Sequence, residues 1–194
     1  MRLPLALVGA AMLLAACGGS STPSESTSSA APTEPAAAWA TSDCLQIAPP
    51  TVADGPPADS VEKDGVATTA IVGTAPLVGV SEAASPATSL VTVDVVEGTG
   101  DAVAAGAAVT VDYCGVGLDS GAIFDSSFAR GQPATFPLDG VILGWQEGIP
   151  GMKPGGRRLL IIPGDLAYGP NPPPGSGIGP NETLVFVVDM LSSP

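Results

Sequence analysis

The reactive side chains of this sequence are carboxylates and hydroxyls, because its 194 residues include no histidine and only 3 cysteines. Without histidine the chain can form no Ser-His-Asp or Cys-His triad and has no imidazole base or zinc ligand. Its 6 basic residues against 19 acidic ones give a net charge of −13. So acidic a chain has too few cations to coat a phosphate backbone. We therefore expect no metal, no cofactor and no nucleic-acid partner.

The elements that would position these groups are concentrated from about residue 88 onward. Alternating patterns and short apolar runs predict strands at 89–98, 108–117, 121–127, 134–138, 157–163 and 182–191. Apolar residues within 141–149 have the spacing of one helical face, and Pro150-Gly151 end that helix after about two turns. Several strands around one short helix predict an α+β domain with an antiparallel sheet.

Six segments of this region carry a resemblance to a known family. They are Val109-Thr110-Val111-Asp112-Tyr113, Phe124-Asp125-Ser126-Ser127, Val141-Ile142-Leu143-Gly144-Trp145, Gly151-Met152-Lys153 through Gly156-Arg157-Arg158, Pro163 through Ala167-Tyr168-Gly169, and Thr183-Leu184-Val185-Phe186. In their order and spacing they resemble the FKBP-type peptidyl-prolyl cis-trans isomerases, from about residue 89 to residue 192. The resemblance implies an FKBP-like fold, in which an antiparallel sheet wraps around one short α-helix.

The resemblance also implies an apolar cleft with a few polar groups. Trp145 matches its floor, and Ile178 matches its rim. The walls are matched by Tyr113, Phe124, Val141, Ile142 and Phe186. The Ile142 backbone N–H and the Tyr168 hydroxyl are the implied donors to substrate carbonyls. Asp125 matches the carboxylate that faces the rotating amide, held by Tyr113 and Arg130.

Without the resemblance these residues would be assigned to ordinary structural roles. Val141, Ile142, Trp145 and Phe186 would be core residues. Asp125-Ser126-Ser127 would be a turn or a helix cap. The distribution of aromatic residues favours the cleft, because six of the eight in the chain match pocket positions of the family: Tyr113, Phe124, Phe136, Trp145, Tyr168 and Phe186.

Rotation about an Xaa-Pro bond suits a chain without histidine. The barrier of about 18–20 kcal/mol comes from amide resonance, so no covalent bond breaks and no nucleophile, metal or proton shuttle is needed. A cleft that binds the twisted amide more tightly than the planar forms is sufficient. We expect an isomerase that assists the folding of exported proteins. The alternatives are a non-catalytic chaperone that binds proline-containing peptides, and a scaffold lipoprotein.

Three departures from the family pattern concern ligand affinity. Ala134 replaces an aromatic wall residue, Gly140 replaces a common acidic residue, and the loop 170–181 lacks the histidine often found near Pro173. We expect the partners to be proline-containing segments of exported proteins and macrolide inhibitors, with macrolide affinity lowered by these changes. We expect the protein to be a monomer.

The first residues predict export and a lipid anchor. An apolar run of about 14 residues from Leu3 to Ala16 is too short to span a bilayer core of about 30 Å but suits a signal peptide. It ends in Leu14-Ala15-Ala16-Cys17, which resembles a bacterial lipobox. Residues 1–16 are therefore predicted to be a lipoprotein signal peptide, with Cys17 carrying the lipid on the outer face of the cell membrane. The alternative is an ordinary secretory signal in which Cys17 is incidental.

Two further segments precede the isomerase domain, which is predicted at 88–194. Residues 17–43 are rich in Ser, Thr, Ala and Pro and are predicted to be a disordered tether. Residues 44–87 are rich in turn-forming residues and are predicted to be an extended arm that packs on the main domain. The lipid anchor would be the only contact with the membrane, since an acidic domain is repelled by anionic lipids.

Once Cys17 is assigned to the lipid, Cys44 and Cys114 remain, and export favours a disulfide between them. In the predicted strand 108–117, Cys114 lies on the face opposite Tyr113, where the arm could reach it. A closed loop of about 70 residues would add roughly 4 kcal/mol in the chain-entropy account. The alternative is two free thiols.

Overall fold

A computed structural model describes residues 37–193. The predicted signal peptide at 1–16, the lipid site Cys17 and the tether up to residue 36 lie outside the described residues. Within 37–193, no helix has the length and the apolar character needed to cross a membrane.

The first sheet is formed by residues 39–81. Its five antiparallel strands are β1 (Trp39–Asp43), β2 (Thr51–Ala53), β3 (Ser60–Lys63), β4 (Val66–Thr69) and β5 (Leu77–Ser81), in the order β2-β1-β5-β4-β3. The structure thus differs from the prediction in two ways. Strand β1 occupies the end of the segment assigned to the tether, and the segment assigned to an extended arm contains the other four strands.

The physical reason for this difference is strand length. Strands of three to five residues are too short to show a periodic pattern. One local signal was present, because Asp64-Gly65 joins β3 to β4 with positive φ at both residues. A two-residue Asp-Gly connection with this geometry is typical of a tight β-hairpin.

The second sheet contains six antiparallel strands. They are β6 (Val91–Val96), β7 (Ala108–Gly117), β8 (Ile123–Ser126), β9 (Ala134–Pro137), β10 (Arg157–Ile162) and β11 (Leu184–Ser192). The order is β6-β10-β11-β7-β8, and β9 also pairs with β7. Each strand overlaps its predicted segment. Helix α2 (Leu143–Gly148) is the predicted short helix, and a one-turn helix α1 (Ser127–Arg130) was not predicted.

Both faces of the second sheet are buried. Its inner face packs against α2 through a cluster that includes Val109, Val111, Tyr113 and Trp145. Its outer face packs against the first sheet, and that cluster contains Cys44, Val66, Val78, Val80, Cys114, Val116, Leu159, Ile161, Val185 and Val187. Continuous apolar runs in β10 and β11 are the sequence signature of strands covered on both sides.

Two buried connections hold the first sheet on the second. The predicted Cys44–Cys114 disulfide is present, and Cys114 lies on the face opposite Tyr113 as predicted. Arg157 and Asp189 form a fully buried ion pair in which Nε donates to Oδ1 at 2.5 Å. The Arg157 guanidinium also donates to the carbonyl oxygens of Thr69 (2.9 Å) and Thr74 (2.7 Å) in the first sheet and its β4–β5 loop. The Gly73 N–H donates to Asp189 at 2.8 Å, so both charges are satisfied across the two layers.

Candidate active site

A cleft of about 290 Å³ opens at the inner face of the second sheet. Strand β7 contributes Tyr113, β8 contributes Phe124 and Asp125, and β11 contributes Phe186. The other lining residues are Phe136, Gly140, Val141, Ile142, Trp145 and Tyr168. Eight of the ten predicted catalytic and substrate-binding residues therefore line one cleft, and Arg130 and Ile178 do not line it directly.

The floor of the cleft is the indole of Trp145, which is buried. Its ring meets those of Tyr113, Phe136 and Phe186 edge-on, with centroids 5.3–5.8 Å apart. The indole N–H has no hydrogen-bond partner among residues 37–193. Edge-to-face packing of this kind leaves an apolar recess bounded by rigid rings.

The depth of Trp145 depends on a glycine in α2. A Cβ atom on Gly144 would overlap the side chain of Ile162 in β10. The absence of a side chain therefore lets α2 approach the sheet closely. The next residue, Trp145, is consequently held between the helix and the sheet.

A polar group lies at the side of the cleft around Asp125. The Asp125 carboxylate accepts hydrogen bonds from the Tyr113 hydroxyl and from Arg130. Arg130 Nη2 also donates to the Tyr113 oxygen at 3.0 Å, and its guanidinium lies 5.4 Å from the centroid of the Tyr113 ring. Arg130 thus contacts the cleft through its hydrogen bonds to Asp125 and Tyr113.

The environment of Tyr113 keeps its hydroxyl protonated. Burial, followed by the hydrogen bond to Asp125, raises the pKa of Tyr113 to about 12. Burial and the charge of Asp125 also raise the pKa of Tyr168 above its usual value. Both phenols are therefore neutral hydrogen-bond donors at physiological pH.

Two donors at the cleft remain unused within the described residues. The Ile142 N–H, at the start of α2, donates to no backbone carbonyl, although the Ile142 oxygen accepts from Trp145 and Gln146. The half-exposed Tyr168 hydroxyl has no partner within 37–193. These are the two donors that the family resemblance implies for substrate carbonyls.

The loop 170–181 flanks the cleft and is fixed at its base. Asn181 N–H donates to Gly169 O at 2.7 Å, and Gly179 N–H donates to the buried carboxylate of Glu182 at 2.6 Å. Ile178 packs against the inner core from this loop instead of lining the cleft. The Glu182 contact was not predicted, and its only sequence signal is an acidic residue at the end of a glycine-rich loop.

The rest of the described chain offers weaker alternatives. A groove of about 410 Å³ lies beside the connection between the sheets, and its lining includes Asp64, Pro86, Thr88 and Ile161 but no aromatic residue. Among residues 37–193, no three His, Cys, Asp or Glu side chains are grouped as metal ligands would be. Of these two pockets, the aromatic cleft is the better candidate site, because it combines apolar aromatic walls with polar groups.

Comparisons with known proteins match the same region. Residues 100–191 match the family of FKBP-type peptidyl-prolyl cis-trans isomerases. A probable FK506-binding protein of Corynebacterium glutamicum is 51% identical over 105 residues, which are 54% of this chain and 86% of that protein. The outer membrane protein MIP of Legionella longbeachae is 46% identical over 84 residues, 43% of this chain and 35% of that protein.

The fold agrees with that of a solved relative. The crystal structure of FkpA from Escherichia coli is 40% identical, with a TM-score of 0.52 over 68% of this chain and 53% of that one. The chain thus spans about half of that relative, and the predicted FKBP-like fold is confirmed. Family match, fold and cleft coincide in the second sheet, and this chain belongs to the FKBP-type peptidyl-prolyl cis-trans isomerases.

Proposed function

We propose that this isomerase acts on Xaa-Pro bonds of exported proteins and that the inner-face cleft is its active site. The observation that carries the proposal is the combination of an apolar aromatic recess with two unused donors and an anchored carboxylate. We assign the activity to the predicted domain 88–194 and a supporting role to the first sheet.

The cleft would lower the barrier by binding the twisted amide. The proline ring would sit on Trp145, while the Ile142 N–H and the Tyr168 hydroxyl hold the flanking carbonyls. A planar amide is more dipolar than a twisted one, so an apolar recess favours the twisted form. Each 1.36 kcal/mol of that preference accelerates the reaction about tenfold.

Asp125 is proposed to face the rotating amide. Its carboxylate is oriented from two sides by Tyr113 and Arg130, so its position does not depend on the substrate. A fixed negative charge acts on a changing dipole without any reorganisation during the reaction. Tyr113, Phe124, Asp125, Ile142 and Tyr168 are the proposed catalytic residues. Arg130, Val141, Trp145, Ile178 and Phe186 are the proposed substrate-binding residues.

The test is isomerisation of a short Xaa-Pro peptide by the wild type, Tyr168→Phe and Asp125→Val. We expect acceleration by the wild type and about a tenfold lower kcat/KM in each variant, since one hydrogen bond or one charge is lost. Glu97→Gln is the matched control, because Glu97 is an exposed carboxylate paired with Lys153 outside the cleft.

The same assay separates the alternatives. Peptide binding without acceleration would select the non-catalytic chaperone, and neither binding nor acceleration would select the scaffold. Trp145→Leu should weaken peptide binding while the domain stays folded by circular dichroism. Unfolding of that variant would instead assign Trp145 to the core.

We also propose that the protein is exported and held on the outer face of the cell membrane by a lipid on Cys17. The lipobox-like sequence at 14–17 supports this, as does the disulfide, which is typical of oxidising compartments. The name of the Legionella relative points to the envelope as well. Cys17→Ser should release the protein from membranes into the soluble fraction. Release of the wild type under the same conditions would contradict the anchor.

Proline-containing segments of exported proteins and macrolide inhibitors are the proposed ligands, bound by a monomer. Gly140 lines the cleft and Ala134 packs against the inner core. Both are smaller than the residues expected there from the family pattern, so we expect fewer contacts with a macrolide. Ala134→Phe should raise macrolide affinity in a titration, and an unchanged affinity would contradict this role.

A further inference from the structure

Cys44, in the loop after β1, contacts both strands that carry the polar group of the cleft. Its disulfide joins Cys114, which is adjacent in sequence to Tyr113 in β7. Its carbonyl oxygen accepts a hydrogen bond from Ser126 Oγ at 2.7 Å, and Ser126 is adjacent to Asp125 in β8. The first sheet therefore reaches the back of the site at two neighbouring points.

The hydroxyl of Ser126 has a second partner on the side of helix α1. Ser126 is the N-cap of α1 and accepts a hydrogen bond from the Ala129 N–H at 3.2 Å. A hydroxyl has one proton and two lone pairs. Because the proton is donated to Cys44, a lone pair is left directed at Ala129. The Cys44 carbonyl thus sets the orientation in which Ser126 caps the helix.

Helix α1 ends at Arg130, the residue that holds Asp125. The helix has only four residues, so its own backbone hydrogen bonds cannot stabilise it. Its first residue is fixed separately, since Ser127 Oγ accepts from the Tyr113 N–H and donates to Asp112, both at 2.8 Å. The Ser126 cap is therefore the contact that couples the helix to the first sheet.

We propose that Ser126, oriented by Cys44, is a positioning residue for the Arg130–Asp125–Tyr113 group. This inference rests on the proposed function of the cleft. Without the hydrogen bond of the cap, the first turn of α1 is no longer held in place, and Arg130 is no longer positioned to donate to Asp125. The Asp125 carboxylate then keeps only one of its two hydrogen-bond partners, the Tyr113 hydroxyl. The apolar floor formed by Trp145 and Phe186 is unaffected, so kcat should fall more than KM rises.

The chain offers a matched control in Ser42. Ser42 is also buried, and its Oγ donates to the carbonyl of Gly121 at 2.6 Å. Ser42→Ala thus removes a similar bond between the first sheet and the loop that joins β7 to β8, but that bond does not involve α1. We expect Ser126→Ala to lower kcat about fivefold to tenfold with KM within about twofold. Ser42→Ala should leave kcat within about twofold of the wild type.

A double-mutant cycle with Arg130→Ala tests whether the loss of Ser126 lowers kcat by displacing Arg130. If Ser126 acts through Arg130, the double variant should be no slower than Arg130→Ala alone. Ser126→Thr keeps a capping hydroxyl and should restore most of kcat. If Ser126→Ala fails to fold, Ser126→Gly is the second variant. Glycine is tolerated at N-caps but has no hydroxyl that could donate to Cys44, so the same loss of kcat is expected.

Two results would overturn the inference while leaving the proposed function intact. One is a kcat of Ser126→Ala equal to that of Ser42→Ala with an active wild type. The other is full additivity of the Ser126 and Arg130 losses. An inactive wild type is a different outcome, because it would overturn the proposed function and the inference with it.

Discussion

The two faces of the second sheet are built from different side chains, and only the outer face is covered by the first sheet. The inner face carries aromatic rings that meet edge-on and leave a cleft of about 290 Å³. The outer face carries mainly aliphatic residues covered by the first sheet. On this face Arg157 forms an ion pair with Asp189, and Cys114 forms a disulfide with Cys44 of the first layer. Donors without partners at the cleft are available to a ligand, whereas the buried ion pair of the outer layer is fully satisfied.

We expect the largest losses of stability from substitutions of residues that are buried between the two sheets. Asp189→Ala leaves the Arg157 guanidinium buried without its counter-charge. Removal of one partner from a buried ion pair destabilises a protein by about 3–5 kcal/mol. Denaturant unfolding should show a loss of this size.

The matched control for Asp189→Ala is Glu97→Ala, which breaks an exposed ion pair with Lys153. Exposed pairs contribute about 0–1 kcal/mol. Equal losses in the two variants would contradict the structural role assigned to the Arg157–Asp189 pair.

A second prediction compares the effects on stability and on activity of shortening one apolar side chain on each face of the second sheet. Leu159→Ala on the outer face creates a buried cavity and should lower the free energy of unfolding by about 2–5 kcal/mol. Its kcat/KM per folded molecule should equal that of the wild type. Val141→Ala in the half-buried cleft wall should lower stability by about 1 kcal/mol or less, but lower kcat/KM severalfold. A loss of activity in Leu159→Ala that exceeds its unfolded fraction would show that the faces are not separable.

The prediction with the smallest effect on stability at neutral pH concerns the ionisation of the Tyr113 hydroxyl. The folded protein raises its pKa from the usual value near 10 to about 12. Tyr113 therefore favours the folded state fully below pH 10, and this contribution is lost as the pH rises towards 12. In Tyr168→Phe, Tyr113 is the only tyrosine. Tyrosinate absorbance should then titrate near pH 12 while the protein stays folded. Titration near pH 10 in the folded protein would contradict its burial beside Asp125.

The four longer strands of the second sheet could be predicted from the sequence, because β6, β7, β10 and β11 are long enough to show alternation or a continuous apolar run. The segment 108–117 is an example, since it coincides with β7. The cleft could be predicted only because six segments matched one family in order. Their residues taken singly would have been assigned to a core, and Trp145 is indeed buried.

The first sheet could not be predicted from periodicity, because its strands have three to five residues. Two signals were nevertheless present. The Asp64-Gly65 pair marks a hairpin, and the unbroken apolar runs of β10 and β11 require a cover on both faces. The contact of Ser126 with Cys44 depends on the folded chain and had no sequence signature. The contact of Glu182 with Gly179 had only one signal, an acidic residue at the end of a glycine-rich loop.

The most direct test of the central claim is to follow the cleft floor and the reaction in one titration. Only two tryptophans are present, and Trp39 lies in the first sheet. Trp39→Phe therefore makes Trp145 the sole indole reporter. We predict that an Xaa-Pro peptide changes the Trp145 fluorescence with the same concentration dependence with which the isomerisation rate saturates. Saturating catalysis with no response from Trp145 would contradict the account.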